Sequence, residues 1–313
     1  MNIKEKLETA LSRRIPLFRV TDAFRLVNGA GDGMKGIILE IYGQHAVSQV
    51  FSPEWIEHRD CLVEFIRNRF NGIYFIVKDR SGSGASDPEA FETHLWIREA
   101  SSKTVVKEHS LVFGVDLNDG LNTGLFLDMR RNRFLVGRQA KGRRVLNCFS
   151  YTASFGVYAR SMGAHSVVNL DISRKALERA RRNYLENGIE PGPNEFIRTE
   201  ALKYLERMGR KKARFDLIIL DPPSFSRYEK KVFSIRRDLV RLIRLAVDIL
   251  DAGGILFVST NFREMTSRGL LKAVHAAAGG RKYKKFEFLG PDMDFPGKGK
   301  EAESHLVAVW IEF

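Results

Sequence analysis

Three short stretches carry residues whose types and spacing could do chemistry. The first runs from Val145-Leu146-Asn147-Cys148 through Phe149-Ser150-Tyr151 to a helical apolar period at Phe155, Tyr158, Ala159 and Met162, then Val167-Val168-Asn169-Leu170-Asp171. That order predicts a strand, a tight loop, a helix and a second strand. In an open parallel sheet a ligand sits beyond the carboxyl ends of the strands, and an acidic residue about 20 positions after the loop can accept ribose hydroxyls. Asp171 stands there, so Asn147, Phe149, Ser150, Tyr151, Asp171 and Ile172 are expected to line a nucleoside site. The repeated glycines that let backbone close on a pyrophosphate are missing, since only Gly156 is present. An adenosine cofactor without phosphates fits such a loop, which points to S-adenosylmethionine. The plain alternative is any βαβ unit of an α/β protein.

The second stretch is an apolar run, Phe215 to Leu220, that ends in Asp221-Pro222-Pro223-Ser224-Phe225. Two prolines fix the backbone and remove donors, so the Asp221 and Pro222 carbonyls can be held towards a substrate base while Phe225 stacks on it. Asp221 also counts among the expected cofactor contacts. The motif resembles the Asp/Asn-Pro-Pro-Tyr/Phe of methyltransferases acting on nitrogen in bases and amides. In third place, Gly254 to Ser259 reads as a strand leading into Thr260-Asn261-Phe262-Arg263, with Asn261 as a candidate site residue. Between them, Glu200 and Ala201 follow a predicted strand at Glu195 to Arg198, where methyltransferases of this kind place an acidic residue against the adenine amine. A carboxylate at that helix start could equally be a cap.

These stretches need a scaffold, and the chain is long enough to supply one. It has 313 residues, 44% of them hydrophobic, as in a globular protein with a sizeable core. No apolar stretch approaches the roughly 18 residues of a membrane span, and residues 1–20 hold Arg13, Arg14 and Arg19 without a signal-type apolar core, so a cytoplasmic location is expected. Two cysteines, Cys61 and Cys148, and seven scattered histidines give no metal-binding pattern, so no metal is expected. Residues 1–108 balance 15 basic against 15 acidic side chains, whereas residues 109–313 carry 36 against 23 and thus the whole net charge of +13. Arginine and lysine clusters at 130–133, 138–144, 207–214 and 227–231 recur near the expected site, the footprint of a polyanionic partner. Solubility is the bland alternative.

A helix over residues 1–14 should end at Ile15-Pro16. Strands are expected at Phe24 to Val27, Gly36 to Tyr42, Ala46 to Phe51 and Ile73 to Val77, with a helix from Pro53 to Phe70 and a Gly/Ser-rich mobile loop from Arg80 to Pro88. The pattern then changes at His109, followed by a strand over Leu111 to Asp116. Division into a small α+β domain, 1–108, and a second domain, 109–313, follows. After Asp171 a helix should run from Ser173, able to cap it, to Asn187-Gly188.

From Leu121 the chain reads Leu-Asn-Thr-Gly-Leu-Phe-Leu-Asp-Met-Arg-Arg-Asn-Arg. The stretch Thr123 to Arg133 resembles the T-G-F-F-L-D-Q-R-x-N-R signature of the large-subunit ribosomal RNA methyltransferases. The resemblance continues through V-L-N-C-F-S-Y-T-A-S-F and L-D-P-P-S-F-S, and it runs from about Phe24 to the C-terminus. It implies an S-adenosylmethionine-dependent enzyme with a Rossmann-like, mainly parallel seven-strand sheet. It also implies that Thr123, Phe126, Asp128 and Arg130 close over the methionine end of the cofactor, where a basic surface helix would otherwise be expected. The RNA-binding PUA domain that many members carry is absent from this sequence.

Within that family, formation of 5-methylcytosine needs a thiolate that adds to C6 of the ring. Relatives with that activity carry the cysteine after the fifth strand, where this chain has Ser259 and Thr260. Cys148 lies in the cofactor loop, poorly placed to attack a base. Together with Ser-Thr-Asn-Phe-Arg and the later Pro-Asp-Met-Asp-Phe-Pro, this places the chain nearer the guanine-N7 branch. The function expected is methylation of a base nitrogen in large-subunit ribosomal RNA, with cytosine C5 or an exocyclic amine as alternative acceptors. A nicotinamide oxidoreductase and a non-catalytic RNA-binding protein are the rivals from other classes. Monomer and homodimer both remain open.

Overall fold

The computed structural model describes residues 2–70, 74–82, 92–120, 122–228, 231–297 and 305–313. Most of the expected loop at Arg80 to Pro88 lies outside the described residues. Two compact units are formed, Met1–Asp128 with Asp292–Ser304, and Met129–Pro291 with His305–Phe313. Residues 109–128, placed by sequence with the second domain, cluster with the first unit.

In the first unit, α1 (Ile3–Arg14) opens on a capping box in which Asn2 accepts from the Glu5 N–H at 2.9 Å and Glu5 accepts from the Asn2 N–H at 3.0 Å. It stops where Pro16 falls in the first turn of a 3-10 segment. Strands β1 (Ala23–Asn28), β2 (Ile37–Tyr42) and β3 (His45–Val50) form a meander. Helices α2 (Glu54–Glu57) and α3 (Arg59–Phe70) then cross to β4 (Tyr74–Asp79), which lies parallel to β3, and β5 (Glu92–Arg98) completes a sheet of order β1-β2-β3-β4-β5. The single helix expected from Pro53 to Phe70 is broken at His58. A separate hairpin joins β6 (Lys103–Glu108) to β7 (Leu111–Asp116). The turn before β2 is anchored by Asp32, whose carboxylate takes two hydrogen bonds from the buried Arg14 guanidinium, at 2.6 and 2.7 Å, and one from the Asn28 N–H at 2.7 Å.

The second unit runs α4 (Arg130–Gln139), β8 (Arg144–Cys148), α5 (Ser154–Ser161), β9 (Ser166–Asp171), α6 (Arg174–Glu186), β10 (Phe196–Arg198), α7 (Ala201–Arg210) and β11 (Phe215–Leu220). A hairpin of β12 (Phe225–Tyr228) and β13 (Lys231–Ser234) leads into α8 (Ile235–Ile249), β14 (Leu250–Thr260), α9 (Ser267–Ala277), β15 (Lys285–Leu289) and β16 (Val307–Glu312). The sheet order is β10-β9-β8-β11-β14-β16-β15, in which only β16 runs against its neighbours. This is the mainly parallel seven-strand sheet of a Rossmann-like methyltransferase fold, with the smaller unit beside it in the sequence. Both faces are covered, as a parallel sheet requires. Ile218 and Leu220 pack under α7, α8 and α9, while Leu217 and Ile219 pack under α4 and α5. At the amino ends of the strands the Arg144 guanidinium bonds to Asp216 and Asp251, each at 2.7 Å, and holds the Asp216 carboxyl below its ordinary range. Every chemically promising stretch of this unit therefore falls at the opposite, carboxyl edge.

Candidate active site

At that edge the chain leaves β8 and turns through three non-glycine residues with positive φ: Phe149 at 59°, Tyr151 at 49° and Ala153 at 55°. Such conformations cost about 1–3 kcal/mol each and persist only where surroundings impose them. Here the surroundings are hydrogen bonds made by the loop's own N–H groups. Ser150 N–H donates to the Leu170 carbonyl at 2.8 Å, Tyr151 N–H to Asp171 Oδ2 at 2.8 Å, and Ala153 N–H to the Ser150 carbonyl at 2.7 Å. The loop is pinned to the end of β9. Asp171 Oδ1 accepts from the Ser173 N–H at 2.8 Å, and burial raises the carboxyl pKa against the lowering effect of these donors. The Ser150 hydroxyl is buried without a hydrogen-bond partner, and α5 starts at Ala153 with no side-chain cap.

Asn147 sits inside β8, one residue before the strand's end. Its amide donates to Asn169 Oδ1 at 2.9 Å, and Asn169 donates to the Tyr184 hydroxyl at 2.9 Å. Gly156 is tied to the same chain of bonds, because a Cβ there would stand 2.4 Å from Asn169 Oδ1 and 2.7 Å from the Tyr184 oxygen. Ile172 is half-buried just after Asp171.

The loops after β11 and β14 are joined by two side-chain pairs, in which the expected site residues Asp221 and Asn261 each meet a serine whose part the sequence reading missed. Ser259, fully buried, donates its hydroxyl to Asp221 Oδ1 at 2.7 Å, and the Ser224 hydroxyl donates to Asn261 Oδ1 at 3.3 Å. Spacing within either stretch does not reveal these pairs, which arise because β11 and β14 lie side by side and parallel in the sheet. Pro222 is buried, Pro223 exposed, and Phe225 is 57% exposed, which excludes an inward-packed core role for its ring.

Glu200 occupies the N-cap position of α7, yet its side chain makes no capping hydrogen bond, and Ala201 is buried. Glu200 lines a cavity of about 340 Å³ with Lys203, Phe233 and Arg237. Phe233 also packs on Phe149, ring centroids 5.4 Å apart, so this cavity adjoins the loop after β8.

Thr123, Phe126 and Asp128 belong to the first unit, Arg130 to the second. Thr123 is held by its own unit: its hydroxyl donates to Tyr42 at 3.0 Å, Tyr42 donates to Glu40 at 3.0 Å, and Arg25 bonds Glu40 at 2.6 Å. Phe126 is exposed and Asp128 half-buried. The alternative of a basic surface helix holds only in part, because Arg130 and Arg133 are each 1% exposed, leaving Arg131 and Arg138 at the surface.

Residues 92–300 match a family profile described as S-adenosylmethionine-dependent methyltransferase. Ribosomal RNA large subunit methyltransferase I of Aeromonas salmonicida is 31% identical over 93% of this chain and 75% of its own length. The protein of the same name from Tolumonas auensis is 33% identical over 88% and 70%. Among solved structures, SMU.776 complexed with SAH superposes with a TM-score of 0.88 at 28% identity, covering 99% of this chain and 80% of the other. The chain belongs to the S-adenosylmethionine-dependent methyltransferases.

This methyltransferase takes S-adenosylmethionine as its cofactor, and the second unit presents groups that suit it: an acceptor carboxylate at Asp171, an unpartnered buried hydroxyl at Ser150 and an uncapped helix start at α5. The expected nearness to a guanine-N7 branch is overturned. The relatives matched over most of the chain are large subunit methyltransferase I, on the cytosine-C5 side of the family. The reading erred by weighing a few positions, Ser259 to Arg263 and Pro291 to Pro296, above similarity spread along the whole length. Cys148 is nonetheless no ready nucleophile. It is fully buried among Leu146, Leu170 and Leu220, and burial pushes its thiol far above the ordinary range. Among the described residues no group of histidine, cysteine and carboxylate side chains could hold a metal ion, and no helix is long and apolar enough to cross a membrane.

Proposed function

We propose that this methyltransferase modifies a base of large-subunit ribosomal RNA. The relatives named above support the substrate class. The observation that carries the reading is the ledge Asp221-Pro222-Pro223, tied by Ser259 and Ser224–Asn261 to the next strand end and flanked by the exposed ring of Phe225. Asp171 would accept the ribose hydroxyls, Ser150 and the first turn of α5 would meet the polar end of the cofactor, and Glu200 would face the adenine amine. When bound, S-adenosylmethionine supplies an electrophilic methyl group on a sulfonium. The ledge fixes the base, Phe225 stacks on it, and positioning of this kind can supply about 7–11 kcal/mol of the barrier.

Direct attack by an exocyclic amine suits a site whose described cysteines are a buried thiol at Cys148 and a half-buried one in the first unit at Cys61. The amine lone pair forms the new N–C bond as the S–C bond breaks, and the amine proton leaves to solvent. A second reading, cytosine C5, is favoured by kinship with methyltransferase I and would require a thiolate to add to C6. Nucleoside mass spectrometry of large-subunit RNA treated with the protein and labelled S-adenosylmethionine separates them. A nucleoside methylated on an exocyclic amine, with Cys148→Ser still active, is expected. A covalent adduct on 5-fluorocytosine RNA that vanishes in Cys148→Ser would establish the second reading, and RNA without label would reject both.

A further inference from the structure

The outer strand β15 of the large sheet departs from what an edge strand normally shows. Phe286 and Phe288, two residues apart and so on one face, are 42% and 44% exposed, with ring centroids 5.6 Å apart at 71°. By register they stand beside Ile311 and Val309 of β16, which are buried. Tyr283 braces Phe286 edge-on at 5.8 Å, and its hydroxyl is 2.9 Å from His275 Nε2 on α9. The approach to the strand is fixed as well, since the Arg281 guanidinium donates to the carbonyls of Val247 and Leu250 at 2.9 Å each. These aromatic rings are therefore held in place and left uncovered.

Edge strands are commonly protected from pairing by lysine, and Lys284 and Lys285 could serve that end. Protection does not account for two adjacent uncovered phenylalanines. Exposed Lys282 and Lys284 lead into the strand and exposed Lys272 lies on α9, the helix that carries His275, while Lys285 and Glu287, 3.8 Å apart, pair on the strand's other face. Uncovered aromatic faces approached through a lysine-rich segment suit unpaired bases on a phosphate chain, because every base has a face to stack and every phosphate a charge to neutralise.

We infer that β15 is a docking platform for a single-stranded segment of the RNA substrate, with bases stacking on Phe286 and Phe288 and phosphates met by Lys282 and Lys284. The inference rests on the RNA reading above and adds a second contact surface on the same unit. The test is fluorescence anisotropy of an unstructured 12-nucleotide RNA with the full chain, wild type against Phe286→Ala/Phe288→Ala. Affinity should fall at least about tenfold. Phe286→Tyr/Phe288→Tyr should restore it, while melting temperature and S-adenosylmethionine affinity stay unchanged. Unchanged RNA affinity in a folded alanine variant overturns the platform, as does a wild-type dimer in sedimentation that the alanine variant loses, which would mean that a second copy of this chain covers the strand. If the wild type binds the RNA and the variant does not, but neither methylates ribosomal RNA, the platform stands and the proposed function fails.

Discussion

At Asp171 both carboxylate oxygens already accept a backbone N–H, from Tyr151 and Ser173, and each retains a lone pair for a ligand hydroxyl. Asp171→Ala therefore removes a ligand acceptor and unpins the loop after β8. A hydrogen bond to a charged group contributes about 1.5–3 kcal/mol, so S-adenosylmethionine affinity by calorimetry should drop at least about tenfold. Burial sets the pH behaviour. The carboxyl pKa is raised above its ordinary 3.8 in the folded chain, so its contribution to stability is full below that value and is lost as pH rises through the raised one. Ligand hydroxyls prefer the ionised form, so cofactor affinity should run the other way and weaken as acidification enters the range just above 3.8. Unchanged affinity across that range, with the fold intact, would remove Asp171 from the site. For Phe225 the exposure of its ring gives a different expectation. Phe225→Ala should leave melting temperature and cofactor binding near wild type, and single-turnover methyl transfer should fall more than RNA affinity, since stacking of about 1–3 kcal/mol and in-line geometry are lost together. A parallel fall in stability and activity would contradict this.

The element that ties site to scaffold is α5, which approaches β9 through Gly156. Gly156→Ala drives a methyl group into Asn169 and Tyr184, members of a buried bonded chain that cannot swing aside. Overpacking of this kind costs about 1–3 kcal/mol, and cofactor affinity should fall with the melting temperature. Gly209→Ala in α7 makes the control: the new Cβ meets Ile249 at 3.9 Å, ordinary contact, so the helix should be unharmed or slightly stabilised. Elements governed by local chemistry were legible in the sequence. Ser173 caps α6 by accepting from the Ala176 N–H at 3.2 Å, and the helix ends at Asn187 before Gly188 at φ 67°. The strand ends at Asp171 and Asp221 were legible too, since apolar runs stop there. What depends on partners distant in the chain was not. β5 carries too many exposed positions to read as a strand and exists through its pairing with β4. Arg130 and Arg133 count in the sequence as part of a basic cluster for a polyanion, yet lie buried. The bonds from Ser259 to Asp221 and from Ser224 to Asn261 join different strand ends, and spacing within either stretch does not announce them.

Across the whole molecule the charge surplus lies in residues 109–313, and the burial of two arginines leaves most of it at the surface for a polyanion. Binding to RNA through those groups should weaken steeply with salt, with a log–log slope that reports the number of phosphates met. Cofactor binding, which rests on neutral and single-charge contacts, should change little over the same range. The central claim is that the cofactor's methyl group reaches an RNA base held at the carboxyl edge of the large sheet. It is tested most directly by incubating the intact protein with labelled S-adenosylmethionine and large-subunit ribosomal RNA, then locating the label by nucleoside mass spectrometry, with Asp171→Ala alongside. Label should appear in one base of the RNA and fall at least about tenfold in the variant at sub-saturating cofactor; a protein that binds the cofactor tightly and leaves the RNA unlabelled would contradict the account.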